Sequence, residues 1–226
     1  MQNKPDFIFF DLDGTLSQLP KIVTALAGLY DKTSDFLKKV FGPRTPSKPK
    51  IKVEKFETEK SPLKYAFLRA ILSPVPQHGL HQLLTYLDHQ EIESGVVSNG
   101  PFHWGNPFLT EFKLHHHFEC ANFRDAHKNL KPAPDPLLAA VDEVRDLVKQ
   151  DPKVVWFVGD QASDVETAVN AAHHQAEYEV VPIAIGTNTS AAKKLRSLQS
   201  DGQALNGLTF ADYHAMLAHL KKPFSP

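Results

Sequence analysis

Cysteine is almost missing from this chain, with one residue, Cys120, in 226. That excludes an intramolecular disulfide framework and fits a reducing compartment. Its neighbours Phe118, Ala121 and Phe123 predict a buried thiol rather than a reactive one. Also lacking is any apolar run approaching the roughly 18 residues that a bilayer span requires. The opening MQNKPD passes straight into FIFFDLD without a hydrophobic leader. A cytoplasmic protein with no membrane partner is expected. Charge of one sign is scarce as well. The formal net charge is −1, whereas nucleic-acid partners ordinarily demand a concentrated positive field, so none is expected.

What is present has the pattern of a layered fold. Apolar runs at 7–12, 95–98, 118–123, 154–159 and 180–186 are near-continuous, as in strands covered on both faces. Leu137, Leu138, Val141, Val144 and Val148 recur at helical spacing after the prolines of KPAPDP. Ser163 and Glu166 are spaced as a capping box ahead of Val165, Ala168, Val169 and Ala172. Strand and helix alternate from about residue 76 onward, which predicts an α/β fold built on a doubly wound parallel sheet with right-handed crossovers.

One stretch breaks the alternation. About eighty residues separate Asp13 from the strand at Gly95, far more than the dozen or so a crossover needs. Ile22, Leu26, Leu29, Phe36 and Val40 mark one helix, and Ser61 with Pro62 reads as the cap and first turn of another carrying Leu63, Phe67 and Ile71. Between them, GPRTPSKPKIKVEKFETEKSP (42–62) reads as a solvated loop. The sharper alternative is that a basic side chain such as Lys48, Lys50 or Lys52 reads an anionic substrate from it. A helix around Leu80, Leu83, Leu84 and Leu87 then returns to the core. The expected organisation is a core of 1–16 and 77–226 with a small helical insertion, 17–76.

The chemistry gathers at strand ends. Asp11 and Asp13 close the first run, and residues two apart on a strand share a face. Gly14 lets the backbone turn away. Two carboxylates aimed at one point require a cation or a shared proton. Another run ends in Ser98, Asn99 and Gly100, a hydroxyl and flexible amides suited to phosphate oxygens. A third ends in Asp160, with Asp164 at the following helix start, and Lys131 sits in a proline-stiffened loop. Ligands of open parallel sheets bind outside the carboxyl ends of the strands, where these groups converge. Oxygen donors without cysteine or a histidine pair suit a hard cation such as Mg²⁺.

At this point the sequence resembles the haloacid dehalogenase superfamily, in its phosphatase branch. FFDLDGTL, VVSNG, Lys131 in KPAPDP and FVGDQASD match the four family motifs in order and spacing. The resemblance implies Asp11 as nucleophile and metal ligand. It implies Asp13 as general acid then base, with its main-chain carbonyl on the metal. Ser98 and nearby amides of Asn99 and Gly100 would bind the phosphoryl group, and Lys131 would neutralise Asp11 and phosphate. Asp160 would complete the Mg²⁺ site, and Asp164 would orient Lys131 or a metal-bound water. Asp13 speaks against a dehalogenase, which has no leaving alkoxide to protonate. The implied function is hydrolysis of a small phosphorylated metabolite, in a layout nearest the phosphoglycolate-phosphatase-like group. A phosphosugar mutase, a phosphonate hydrolase and a non-catalytic phosphate-binding or regulatory module remain as alternatives, and the state is either monomer or homodimer.

Other features are read as structural. His115, His116 and His117 fit a solvated loop, His173 and His174 a helix end, and His78, His81 and His89 the polar face of a helix. Phe102, His103 and Trp104 either line the pocket or pack, and Trp156 is assigned to the core.

Overall fold

A computed structural model describes residues 4–19, 62–202 and 206–223. The chain divides into two compact units, Met1–Gln18 with Val75–Pro226 and Leu19–Pro74. The second unit contributes one described helix, α1 (Pro62–Leu72), on which Phe67 and Ile71 are exposed. The expected helix over 22–40, the loop lysines and the Ser61 cap lie outside the described residues.

The first unit is built on six parallel strands, β1 (Phe7–Phe10), β4 (Glu93–Val97), β5 (Cys120–Asn122), β6 (Val154–Gly159), β7 (Glu179–Ile185) and β8 (Leu208–Phe210), in the order β5-β4-β1-β6-β7-β8. A two-stranded antiparallel pair, β2 (Ser17–Gln18) with β3 (Val75–Pro76), stands where the chain leaves and rejoins this unit. The sheet explains the near-continuous apolar runs. All four residues of β1 and all six of β6 are buried, so both faces need apolar side chains.

Alternate residues serve opposite layers. Phe7, Phe9, Val155 and Phe157 pack with Leu137, Val141 and Val144 of α4 (Asp135–Val148) and Ala168 of α5 (Ala162–His174). On the other face Phe10 meets the edge of Tyr213 in α7 (Tyr213–Leu220), and Tyr86 of α2 (Leu80–His89) donates its hydroxyl to the carbonyl of Leu220. Trp156 is fully buried there, stacked on Phe210. Two further helices, α3 (Phe102–Glu111) and α6 (Ser190–Ser200), follow β4 and β7.

Three local expectations are corrected. The helix after β6 starts at Ala162, so its N-cap is Gln161 and its third position Asp164, whose Oδ2 accepts the Gln161 N–H at 2.9 Å. Ser163 and Glu166 therefore do not form the capping box. β6 ends at Gly159, as its apolar run predicts, and the helix starts two residues sooner than that spacing implies. His78 precedes α2 instead of riding on it, and pairs through Nδ1 with Nε2 of His214 at 2.9 Å. The run at 118–123 forms a strand over only three residues, Cys120–Asn122. The histidines 115–117 form a short 3₁₀ turn, with His117 Nδ1 2.7 Å from Asp88 Oδ2. Cys120 is buried and its thiol is pushed up to about 12 by that burial.

Candidate active site

The site is assembled by strand register. Phe10 stands level with Val96 of β4 and Val158 of β6, so the residues that follow each strand emerge side by side at its carboxyl end. Asp11 still donates its N–H to the carbonyl of Val158 at 2.9 Å, and Ser98 donates to the carbonyl of Asn122 at 2.9 Å. Their side chains are thus held by the ladder itself. Beyond Asp11 the chain turns at Gly14 (φ +85°) and returns through Ser17. Tyr213, fully buried, anchors that turn by donating to the carbonyl of Thr15 at 3.0 Å.

Lys131 is the centre of charge. Buried on its loop, it donates from Nζ to Asp11 Oδ1 at 2.5 Å and to Asp164 Oδ1 at 2.7 Å. Burial disfavours its ammonium, but the two carboxylates outweigh that and hold it protonated above the ordinary lysine range. The ring of Phe157 lies 5.4 Å below the charge. Asn99 fixes this lysine's main chain, accepting the Lys131 N–H at 2.9 Å and donating to its carbonyl at 3.0 Å. The Asn99 amide therefore faces Lys131, leaving the main chain and the Ser98 hydroxyl as the groups β4 presents to a ligand. Gly100 donates its N–H to Ser98 Oγ at 2.9 Å.

The carboxylates are crowded. Asp11 is pushed up to about 8, chiefly by burial, with Lys131 pulling it down and Asp164 and Asp13 pushing it up. Asp160 is pushed up to about 6 by burial and by Asp164. It accepts from Thr15 Oγ1 at 3.2 Å and from Gln161 Nε2 at 2.8 Å. Asp13 is exposed as a residue, yet its carboxylate turns toward buried Trp104 and accepts the indole N–H at 2.7 Å. Enclosure by protein raises it, and the Trp104 and Ser17 hydrogen bonds oppose the rise.

Oxygens of Asp11, Asp160 and Asp164 lie within 4.8 Å of one another. The set fits a hard cation: all donors are oxygens, and both Asp11 and Asp160 are held up chiefly by burial and further by the negative charge of Asp164, which a cation would offset. Both Asp164 oxygens already accept, from Lys131 and from the Gln161 N–H. Both Asp160 oxygens accept too, but only from the neutral side chains of Thr15 and Gln161, whereas Asp164 is tied to the buried Lys131 ammonium, so Asp11 and Asp160 are the better placed carboxylates for a metal. All the residues predicted to form the site are brought to this end of the sheet. Sequence reasoning missed Thr15, Gln161 and the Trp104 contact. The first two lie inside recognised motifs, and that membership was the available signal.

Gly14 admits Asp160 to the site. A Cβ at Gly14 would stand 2.5 Å from Asp160 Oδ2, on a backbone whose φ is +85°. Gly14→Ala is expected to cost about 2 kcal/mol through strain and collision and to lower the unfolding midpoint by roughly 5 °C. Thermal unfolding beside wild type checks this, and an unchanged midpoint would show that Asp160 yields freely.

Among the described residues no helix is long and apolar enough to cross a membrane. Comparison with known proteins bears on the whole site. Part of the chain is 31% identical, over 93 residues, to the N-acetylmuramic acid 6-phosphate phosphatase of Pseudomonas putida, covering 41% of this chain and 40% of that protein. The protein of the same name from Pseudomonas aeruginosa is 29% identical over 119 residues, 50% of each chain. The match thus spans half or less of these relatives' length. A crystal structure of a HAD-superfamily hydrolase from Ehrlichia chaffeensis superposes with a TM-score of 0.60 at 17% identity, covering 97% of this chain and 98% of that one. At such identity the likeness establishes the fold alone. The family model for haloacid dehalogenase-like hydrolases matches residues 8–176, a span that holds every residue of the constellation from Asp11 to Asp164, and the chain belongs to that family.

Proposed function

We propose that this protein is a Mg²⁺-dependent phosphatase that hydrolyses a small phosphate monoester through an aspartyl-phosphate on Asp11. The observation that carries the reading is the Asp11–Lys131–Asp164 arrangement, a buried carboxylate paired with a buried lysine that a second carboxylate holds in place. Lys131 occupies Oδ1 of Asp11, so Oδ2 is the oxygen available to attack phosphorus.

Each residue then has a task. Ser98 Oγ and the amides after it hold the equatorial phosphoryl oxygens, where charge concentrates in the transition state. Lys131 offsets the repulsion between Asp11 and the incoming dianion. Asp13 gives a proton to the leaving oxygen and takes one from the water that later attacks the acyl-phosphate. Asp11 and Asp160 are the carboxylates that would hold Mg²⁺, with the Asp13 carbonyl, and the ion would supply charge neutralisation to the phosphate. The names of the curated relatives favour a phosphorylated sugar or sugar acid as substrate.

Phosphate release from a panel of sugar 6-phosphates, phosphoglycolate and nucleotides, with Mg²⁺ and after chelation, tests the reading. Release that requires the metal is expected. No release from any ester, or release indifferent to chelator, would overturn it.

A stability measurement tests the metal separately. Asp11 at about 8 and Asp160 at about 6 both exceed the ordinary value of 3.8, so the folded chain binds more protons than the unfolded one. Metal-free stability then falls as pH rises from about 4 to about 8. A cation binds the ionised carboxylates, so the rise in unfolding midpoint caused by Mg²⁺ is expected to be larger near pH 8 than near pH 5. A rise independent of pH would place the ion elsewhere.

A further inference from the structure

Trp104 lies outside the family motifs, yet its indole meets one of the two aspartates of the first motif. Nε1 donates to Asp13 Oδ1 at 2.7 Å across 91 residues of sequence. Ser17 Oγ approaches the same oxygen at 3.5 Å. Oδ2 lies on the other side, where a Cβ built on Gly100 would stand 3.3 Å from it and 3.1 Å from Ser98 Oγ. The two carboxylate oxygens of Asp13 are therefore not equivalent. One faces a fixed donor, and the other borders the hydroxyl assigned to the phosphoryl group.

An indole N–H only donates; it has no lone pair to accept a proton's hydrogen bond. Oδ1 must remain an acceptor whenever Trp104 faces it, so a proton carried by Asp13 resides on Oδ2. We propose that Trp104 is a positioning residue that fixes the rotation of the Asp13 carboxyl and so assigns Oδ2 to proton exchange with the leaving oxygen. The proposal rests on the phosphatase reading above.

The indole is itself held firmly. Trp104 is 8% exposed and sits in the first turn of α3, where its main-chain N–H donates to the Pro101 carbonyl at 3.0 Å. The helix start is tied down by Asp125, whose Oδ2 accepts the Phe102 N–H at 2.6 Å. The next residue, Gly105, lets the helix lie directly on Phe123 and Leu12, since any Cβ there would collide with both. Leu12 separates Asp11 from Asp13, so the helix carrying the donor rests on the segment carrying the acceptor. An indole has two side-chain torsions, which makes it a stiff strut.

The consequence shows in the leaving group. An alkoxide must be protonated as it departs, whereas p-nitrophenolate leaves well without help. Trp104→Phe keeps the apolar body and removes the donor. The expected result is a loss of roughly 10²-fold in kcat/KM on an alkyl phosphate such as glycerol 3-phosphate, the scale of general acid catalysis. On p-nitrophenyl phosphate kcat/KM is expected to hold within about 3-fold, because it reports the steps up to departure of the leaving group and not the later attack of water, in which Asp13 serves both esters alike. In Asp13→Asn, adding Trp104→Phe should then cost little more on the alkyl ester, because the two act as one unit. Equal losses on both esters, or none on either, would overturn the proposal. The hydrogen bond is also readable without activity. In ¹⁵N-labelled protein, which has only two tryptophans, Asp13→Ala should shift the Trp104 indole N–H resonance upfield and leave that of Trp156 in place. An unmoved Trp104 resonance would overturn it as well. A wild type that releases phosphate from neither ester would instead defeat the phosphatase reading, while the indole shift would still report the contact.

Discussion

Asp11→Asn is expected to lower phosphate release by on the order of 10⁴-fold or more on every active ester, the scale on which loss of a nucleophile acts in other covalent catalysts. The amide has nearly the carboxylate's shape, and its oxygen can still accept from Lys131, so the loss belongs to chemistry and not to folding. The electrostatics sharpen the distinction. Burial already holds Asp11 up at about 8, so removing its charge relieves the metal-free protein at alkaline pH. Its unfolding midpoint near pH 8 should stay level or rise while activity vanishes. Phosphate assay and thermal unfolding on one preparation check both halves. Retained activity in a folded Asp11→Asn protein would remove Asp11 from the mechanism.

Lys131→Met should damage activity and stability together. In wild type the ammonium lies between two buried carboxylates at 2.5 and 2.7 Å. Methionine fills most of the volume and leaves Asp11 and Asp164 facing each other without a cation. Breaking a buried pair by removing one partner costs about 3–5 kcal/mol. The sign of the pH dependence follows. With its cation gone, Asp11 titrates higher still, so the folded variant holds a proton that the unfolded chain releases near 3.8. Wild type and variant therefore lose the same stability between pH 4 and about 7, and the variant's extra deficit is expected to open as pH passes about 8, where Asp11 ionises in wild type alone. Wild-type Lys131 stays charged throughout that range, its folded value lying above the ordinary one. Urea denaturation near pH 7 and again about two pH units higher measures the difference. A deficit independent of pH would mean that packing, and not the charge triad, is what the lysine supplies.

The strand ends of the site could be read from sequence because each is an abrupt change from apolar to polar. The runs before Asp11, Ser98 and Asp160 belong to strands buried on both faces, and burial demands an unbroken apolar stretch. Lys131 was visible through the prolines that stiffen its loop. Contacts that depend on how two elements meet were not visible. Nothing local to Trp104 reveals that its indole reaches Asp13, or that Asn99 turns its amide onto Lys131 rather than outward. The edge strand β8, three residues long with one buried, has too little apolar pattern to stand out. The capping box was misplaced by two residues because more than one polar pair after Gly159 satisfies the spacing, and only the first turn of the helix decides between them.

The paired hydrogen bonds between Asn99 and the main chain of Lys131 have a consequence for motion. They join the turn after β4 to the loop before α4 at their tips, as a crossbar joins two rails. Sliding one past the other would break two hydrogen bonds at once, about 2 kcal/mol on the usual scale. A hinge between the hydroxyl of Ser98 and the ammonium of Lys131 is thereby disfavoured, and the two travel as one body. Whatever opens to admit substrate and closes over it meets an anion cradle that has already been set to width.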